Sequence, residues 1–284
     1  MDSKKIDVYE KITNIIIEKL EEGVAPWKCG FLQNQTPPKN YVSGKEYRGI
    51  NALLLSLTGK KAYYMTYLQA KELGGNVKKG AKGFPVVYYN FVEKQAEQPH
   101  EEAKKIPFLK YYTVFSIDDV DGISFDVPEI VRNQNERLTI CENIIEQMPS
   151  PPKIDFASGR AFYSPPLDYV SIPPLWDFET REEYYGTIFH ELAHSTGHES
   201  RLAREEVMKS GKFGSYTYSK EELVAEICAT FLCNHAGITQ TFDNSVAYIQ
   251  SWLKVLKNDK KFIIDAASKA QKAVDYILNA TFEN

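Results

Sequence analysis

The sequence predicts an α+β protein of two domains, an N-terminal α+β domain at 1–127 and a mostly helical C-terminal domain with a small β-sheet at 128–284. Three observations carry this. Two strand-like runs, at 84–92 and 108–117, follow short helical segments in the first half. A polar stretch at 118–137, opening on Asp118-Asp119-Val120-Asp121-Gly122, has the composition of a linker. Beyond it most of the chain is helical in periodicity, interrupted by short β-like pieces between Gly and Pro turns.

Residues 6–22 open the chain as an amphipathic helix, with Ile6, Tyr9, Ile12, Ile16 and Leu20 on one stripe and Gly23 as its stop. An irregular segment runs through Pro26-Trp27-Lys28, Pro37-Pro38 and Gly44 to Gly49, before a short apolar helix at 51–57. Thr66 and Gln69 have capping-box spacing, each side chain able to satisfy the other's backbone N–H, and their helix stops at Gly74-Gly75. The basic turn Lys78-Lys79-Gly80-Ala81-Lys82-Gly83 leads into the 84–92 strand. The charged stretch 94–105, with Pro99, reads as a mobile hairpin loop before the second strand. In the second half a helix at 136–148 is closed by Pro151-Pro152, and β-like pieces follow at 153–156, 160–163 and 169–172. Thr180-Arg181-Glu182-Glu183 is another capping box and starts the helix that carries His190 and His194. Helices at 219–233, 244–256 and 260–278 follow.

With 43% hydrophobic and 25% charged residues in 284, the composition is that of an ordinary globular protein. No apolar run approaches the roughly 18 residues needed to cross a bilayer, and Met1-Asp2-Ser3-Lys4-Lys5 does not open a secretory signal. A cytoplasmic protein with no membrane partner is expected. Cys29, Cys141, Cys228 and Cys233 lack CxxC spacing and the density of a disulfide scaffold, so they are expected to be reduced packing residues. The net charge of −4 conceals an asymmetry. Between Lys28 and Lys82, ten Lys and Arg stand against Glu46 and Glu72 alone, and the remainder of the chain is strongly acidic. Such a basic window suits a polyanion.

His190-Glu191-Leu192-Ala193-His194 is an HExxH motif. Residues four apart share a helix face, so both imidazoles address one point, as a Zn²⁺ ion requires. Zinc lowers the pKa of a bound water to about 7, and Glu191 stands where a carboxylate could take its proton during attack on an amide. A catalytic site of this kind uses three protein ligands. The pattern HExxHxxGxxH fails, because position 200 is Ser, and His198 follows the glycine that should end the helix. The stronger candidate lies in Glu221-Glu222-Leu223-Val224-Ala225-Glu226, on a helix whose Leu223, Ile227, Phe231 and Leu232 supply a buried face. A carboxylate from a second, packed helix completes the His₂Glu set of thermolysin-like peptidases, in which an acid four residues after the ligand orients a histidine. That favours Glu222 as ligand and Glu226 as its support, with the reverse assignment open. Tyr216, Tyr218, Arg201 and Arg204 are candidates to stabilise an oxyanion.

The chain resembles the ArdC-type plasmid antirestriction proteins, whose N-terminal domain is shared with TraC-type plasmid primases. The resemblance rests on Gly23-Val24-Ala25-Pro26-Trp27, Gly44-Lys45-Glu46-Tyr47-Arg48-Gly49-Ile50-Asn51, Thr66 to Lys71, Gly75 to Gly83, Tyr112-Thr113-Val114-Phe115, Tyr184-Tyr185, the HELAHSTGH run with Ser200-Arg201-Leu202, and Glu221 to Glu226. It implies an N-terminal single-stranded-DNA-binding domain and a C-terminal zincin-like metallopeptidase domain that protects incoming mobile DNA in a bacterial cell. The residues agree with that division. Single strands bind in basic grooves with aromatic platforms, and Trp27, Tyr47, Tyr63, Tyr64 and Tyr67 are interleaved with the basic window. The expected strand contacts are Trp27, Lys28, Tyr47, Arg48, Asn51, Lys71, Lys78, Lys79 and Lys82. The expected metal set is one Zn²⁺ held by His190, His194 and Glu222, with Glu191 as general base. The rival reading is a DNA-coating protein whose metal site is structural or inert, or a primase-associated protein.

Overall fold

The computed structural model describes residues 7–22, 36–58, 60–94, 104–128, 134–156, 159–208, 216–238 and 246–280. The amphipathic stripe at the start forms helix α1 (Val8–Glu21), capped by Asp7, which accepts a hydrogen bond from the Tyr9 N–H. Ile12 and Ile16 are fully buried, and each such burial contributes about 1.5–3 kcal/mol. They pack against the C-terminal helices rather than the N-terminal sheet alone.

That sheet consists of β1 (Lys39–Asn40), β2 (Tyr63–Thr66), β4 (Phe84–Lys94) and β5 (Lys104–Ser116), in the order β1-β2-β5-β4. Helices α2 (Ile50–Ser56) and α3 (Tyr67–Glu72) lie between its strands in sequence, and α3 begins with the expected capping box of Thr66 and Gln69. β4 and β5 pair antiparallel from Phe84 opposite Val114 to Lys94 opposite Lys104. The stretch expected as a loop at 94–105 thus gives its ends to the ladder; residues 95–103 lie outside the described residues. The expected linker also starts as structure. Ser116 caps a turn at Ile117–Asp119, and β6 (Val120–Asp121) pairs with β3 (Asn76–Val77).

The second half contains α4 (Gln134–Gln147) and a three-stranded sheet of β7 (Lys153–Phe156), β8 (Phe162–Ser164) and β9 (Tyr169–Ile172), in the order β7-β9-β8. Helices α5 (Arg181–Ser195), α6 (Glu205–Met208), α7 (Tyr216–Ala236), α8 (Val246–Asn258) and α9 (Phe262–Ile277) follow. The α+β class with two domains is therefore the architecture observed. The two domains share one hydrophobic core, in which Ile12, Ile16, Leu53 and Val87 join Phe189, Leu192, Ile227, Trp252 and Phe262. Polar ties cross the same junction. Thr13 donates to the Lys260 carbonyl at 2.6 Å, Gln271 accepts from the Gly49 N–H at 3.0 Å, and Arg48 pairs with Asp275 at 2.5 Å. Cys141, Cys228 and Cys233 are free and buried, and Cys29 lies outside the described residues. Among the described residues no helix is long and apolar enough to cross a membrane.

Candidate metal centre and nucleic-acid surface

Helix α5 is started by Thr180, whose hydroxyl accepts from the Glu183 N–H. Its Ile188, Phe189, Leu192 and Ala193 are buried, which turns His190 and His194 toward α7. The turn after it needs Gly197, because a Cβ there would stand 2.4 Å from a Val207 methyl. With that space free, the 197–208 segment folds back and delivers Arg204 beneath the histidines.

Three ligand atoms converge. His190 Nε2 and His194 Nε2 are 3.1 Å apart, and the Glu222 carboxylate stands 3.6 Å from the first and 3.4 Å from the second. A tetrahedral ion with bonds of about 2.0–2.1 Å spaces its ligands by about 3.3–3.4 Å. The donor set and its spacing therefore fit one divalent ion, and no other cluster of His, Cys, Asp and Glu among the described residues does so. Glu226, the expected support, is buried one turn further along α7 and is not part of this cluster. The acid that holds a histidine is Glu221. Its carboxylate lies 3.2 Å from His194 Nδ1 and takes a forked contact from Arg204, at 3.0 Å from Nε and 2.5 Å from a terminal nitrogen. Arg204 also donates to the Ala193 carbonyl and the Thr196 hydroxyl.

The electrostatics follow from this packing. Burial opposes the charge on Glu221, but Arg204 and His194 outweigh it and hold its carboxyl below the usual range. Burial likewise opposes ionisation of Glu222, yet the two imidazoles keep it far below that range. Burial also opposes charge on the histidines, but Glu222 with Glu191 raises His190, and Glu222 with Glu221 raises His194 further.

The cluster lies in a cleft of about 380 Å³ walled by Ala161, Phe162, Tyr163 and Pro165 around β8, and by Glu191, Val207 and Tyr218. Glu191 is 7% exposed, and β8 is an edge strand of its sheet. Of the four oxyanion candidates, Tyr218 alone borders this cleft. Arg204 is committed to Glu221, and Arg201 to Asp168 and the Ser195 carbonyl. Tyr216 is half exposed, with Lys220 over its ring. His198 turns away to Ser200.

The expected strand contacts do not assemble in the same way. Trp27 and Lys28 lie outside the described residues. Tyr47 is 8% exposed and Tyr64 1%. Arg48 pairs with Asp275, and Lys71 bonds to Asn76. The Asn51 amide donates to the Val87 carbonyl at 2.7 Å and accepts from the Val87 N–H at 2.8 Å, closing the open edge of β4. Lys60, Lys61 and Lys78 meet Asp119, Asp118 and Asp121, and Lys39 meets Glu46. Lys79 and Lys82 are exposed and form no ion pair among the described residues. Among the described residues of the first domain, the exposed aromatics are Tyr67 of the expected group, at 49%, and outside it Tyr88 at 41%, Tyr89 at 54% and Tyr112 at 38%.

Two family descriptions match the chain, the N-terminal domain of anti-restriction factor ArdC over residues 6–115 and a zincin-like metallopeptidase over 141–269. The metal-free crystal structure of the antirestriction protein ArdC from plasmid R388 has a TM-score of 0.78 at 38% identity, covering 98% of this chain and all (100%) of that one. The Mn(II)-bound structure of the same protein gives 0.77 and 37%, covering 96% and 98%. The y4eC protein of Sinorhizobium fredii is 32% identical over 95% of this chain and 91% of its own. A DNA primase TraC of Escherichia coli is 36% identical over 98% of this chain, which spans only 20% of that primase's length. Matched in sequence and architecture from one domain through the other, the chain belongs to the ArdC-type antirestriction family.

Proposed function

We propose that this protein binds single-stranded DNA through its first domain and hydrolyses peptide bonds at a zinc centre in its second, protecting incoming mobile DNA in the bacterial cytoplasm. The observation that carries the second half is the convergence of His190, His194 and Glu222 beside Glu191 in a cleft with an open strand edge. Two imidazoles and one carboxylate in tetrahedral spacing suit zinc by ligand type, and the Mn(II) found in the R388 relative supports a divalent ion.

When bound, such an ion supplies Lewis acidity, polarising a scissile carbonyl and making water a better nucleophile. The chain's own residues do the rest. Glu221 accepts the His194 Nδ1 proton, which leaves Nε2 as a lone-pair donor, and Arg204 keeps Glu221 ionised. Glu191 takes the proton of the attacking water and returns it to the leaving amine. Tyr218 donates to the developing oxyanion. An extended peptide pairs with the edge of β8, presenting its backbone along the cleft.

Metal content by mass spectrometry, with restriction protection scored for Glu191→Gln beside Lys79→Glu with Lys82→Glu, tests the reading. It requires one zinc per chain and loss of protection in Glu191→Gln. Full protection by Glu191→Gln with bound zinc would remove hydrolysis from the function and leave strand coating.

A further inference from the structure

Two of the four tyrosines expected to stack bases, Tyr47 and Tyr64, are buried, and Tyr63 is half-buried, which leaves Tyr67 alone of that group in the open. Tyr88 and Tyr112 supply a platform outside it. They sit on adjacent strands of the β4-β5 hairpin, on the same face by the register, with Val86 opposite Tyr112 and Tyr88 opposite Lys110. Their ring centroids are 5.9 Å apart and the planes are inclined by 52°, so the rings are tilted beside each other rather than stacked on one another. Both are more than a third exposed. The hairpin's opposite face is spoken for, since Val87 enters the shared core and Leu109 and Tyr111 pack against it.

Exposed tyrosines suit strands through β-propensity alone, and isolated ones mean little. This pair has two further properties. Tyr112 pairs with Val86 and stands two residues before Val114, both buried in the small core around Tyr47 and Tyr64, so its place on the hairpin is anchored before any ligand arrives. Pre-ordered rings lose little entropy on stacking. The exposed Lys110 lies across the ladder from Tyr88, and Lys82, also exposed and without an ion pair among the described residues, precedes β4 by two residues. About 20 Å of strand separates positions 82 and 88. Aromatic faces between two uncompensated cations complement a phosphate backbone with splayed bases.

We infer that Tyr88 and Tyr112 form the stacking platform for single-stranded DNA, with Lys110 and Lys82 receiving the phosphates on either side. This rests on the DNA-binding half of the proposed function and assigns it to residues outside the tyrosines of the basic window. Stacking explains why rings are exposed here while Tyr47 and Tyr64 are core. The platform reads no sequence, because every base has a π face.

The test is fluorescence anisotropy of a labelled oligothymidine on the full chain at low salt, for Tyr88→Ala, Tyr112→Ala, Tyr88→Phe and Tyr67→Ala. Each alanine on the hairpin weakens binding about 5- to 100-fold, the loss of one base stack. Tyr88→Phe keeps the affinity, and Tyr67→Ala changes it less than 2-fold, roughly the limit for a bystander. A second measurement does not depend on any variant. Photocrosslinking an iodouracil oligonucleotide to the unmodified protein places the adduct on the peptides of Tyr88 or Tyr112. Adducts only elsewhere, or alanine variants that bind as the unmodified protein does, overturn the platform while the DNA reading stands. No strand binding by the unmodified protein overturns both. A shift from dimer to monomer in Tyr88→Ala with unchanged DNA affinity gives the surface to a second copy and also overturns it.

Discussion

The metal centre and the basic window put charge to opposite uses. In the centre, five ionisable groups meet around one point, Glu221, Glu222 and Arg204 buried and His190 and His194 half-buried at the cleft, each answered by a neighbour of opposite sign. In the window the bases spread outward, and Lys39, Arg48, Lys60, Lys61 and Lys78 each find a local acid. Four of those acids, Asp118, Asp119, Asp121 and Asp275, lie beyond the window in sequence, which is why its charge looked uncompensated. The lesson is that a charge count along a chain is not a field in space. Short spacing along one helix survives folding; a surplus over fifty residues need not.

The sharpest way to break the contrast is at Glu191. Its replacement by Gln removes a proton carrier without removing a ligand, so hydrolysis of a cleaved peptide should fall about 10²- to 10⁴-fold while zinc content stays at one per chain. Rates within threefold of the unmodified protein, roughly the spread of surface changes, would falsify the general-base assignment.

Next in size is the hydrogen-bonding shell. Glu221→Gln should weaken zinc about 10- to 100-fold in a chelator competition, because the acid that orients His194 is lost. Glu226→Gln should leave affinity unchanged if its acid has no part in holding the ion, and the opposite ranking would restore the four-residue spacing expected from the sequence. Acidity acts on the same bonds. Carboxylates raise both imidazoles above the ordinary 6.5, so protons compete with the ion from a higher pH than usual. As pH is lowered, zinc affinity should already begin to fall while the pH is still above 6.5, and steepen toward about 100-fold per unit once both rings are protonated. In the metal-free protein the sign reverses. There the raised values make protonation stabilising, an effect present below 6.5 and lost as pH rises through the folded-state values. Thermal melts with and without metal, from pH 5 to 9, should therefore trend in opposite directions, and parallel trends would refute the coupling.

The smallest effect concerns the window. Lys79→Glu with Lys82→Glu should flatten the salt dependence of DNA binding by roughly two phosphate contacts, whereas Lys60→Gln with Lys61→Gln should leave the slope nearly intact. Equal slopes in the two pairs would return the groove to the whole basic stretch.

What the sequence disclosed follows from how far each signal reaches. The capping box at Thr66, the cap at Thr180 and the α1 stripe are one-turn or one-face patterns, and they stand where expected, Thr180 through its hydroxyl bond to the Glu183 N–H. His190 and His194 needed only a helix. Glu222 needed a second helix at packing distance, yet its flanking Leu223 and Ile227 marked the buried face. Glu221 escaped because adjacent residues on a helix point about 100° apart, and only the arrival of Arg204 shows which one turns toward His194. The short helix α6, which follows that arginine, left no periodic trace in four residues. Asn51 and Tyr47, expected as strand contacts, show a different limit. Polar atoms on them serve the edge of β4 and the Asn40 network, and nothing local distinguishes a buried hydroxyl or amide from a recognising one.

The shared core has a consequence for how such genes can be cut and joined. Because α1 seats on the C-terminal helices and Arg48 on Asp275, severing the halves near residue 127 would uncover Ile12 and Ile16 and break the Arg48–Asp275 pair. Recombination between the halves would be selected against, and intact transfer favoured. The primase match fits that expectation, since it aligns at 36% identity with 98% of this chain, across both halves, within a far longer protein.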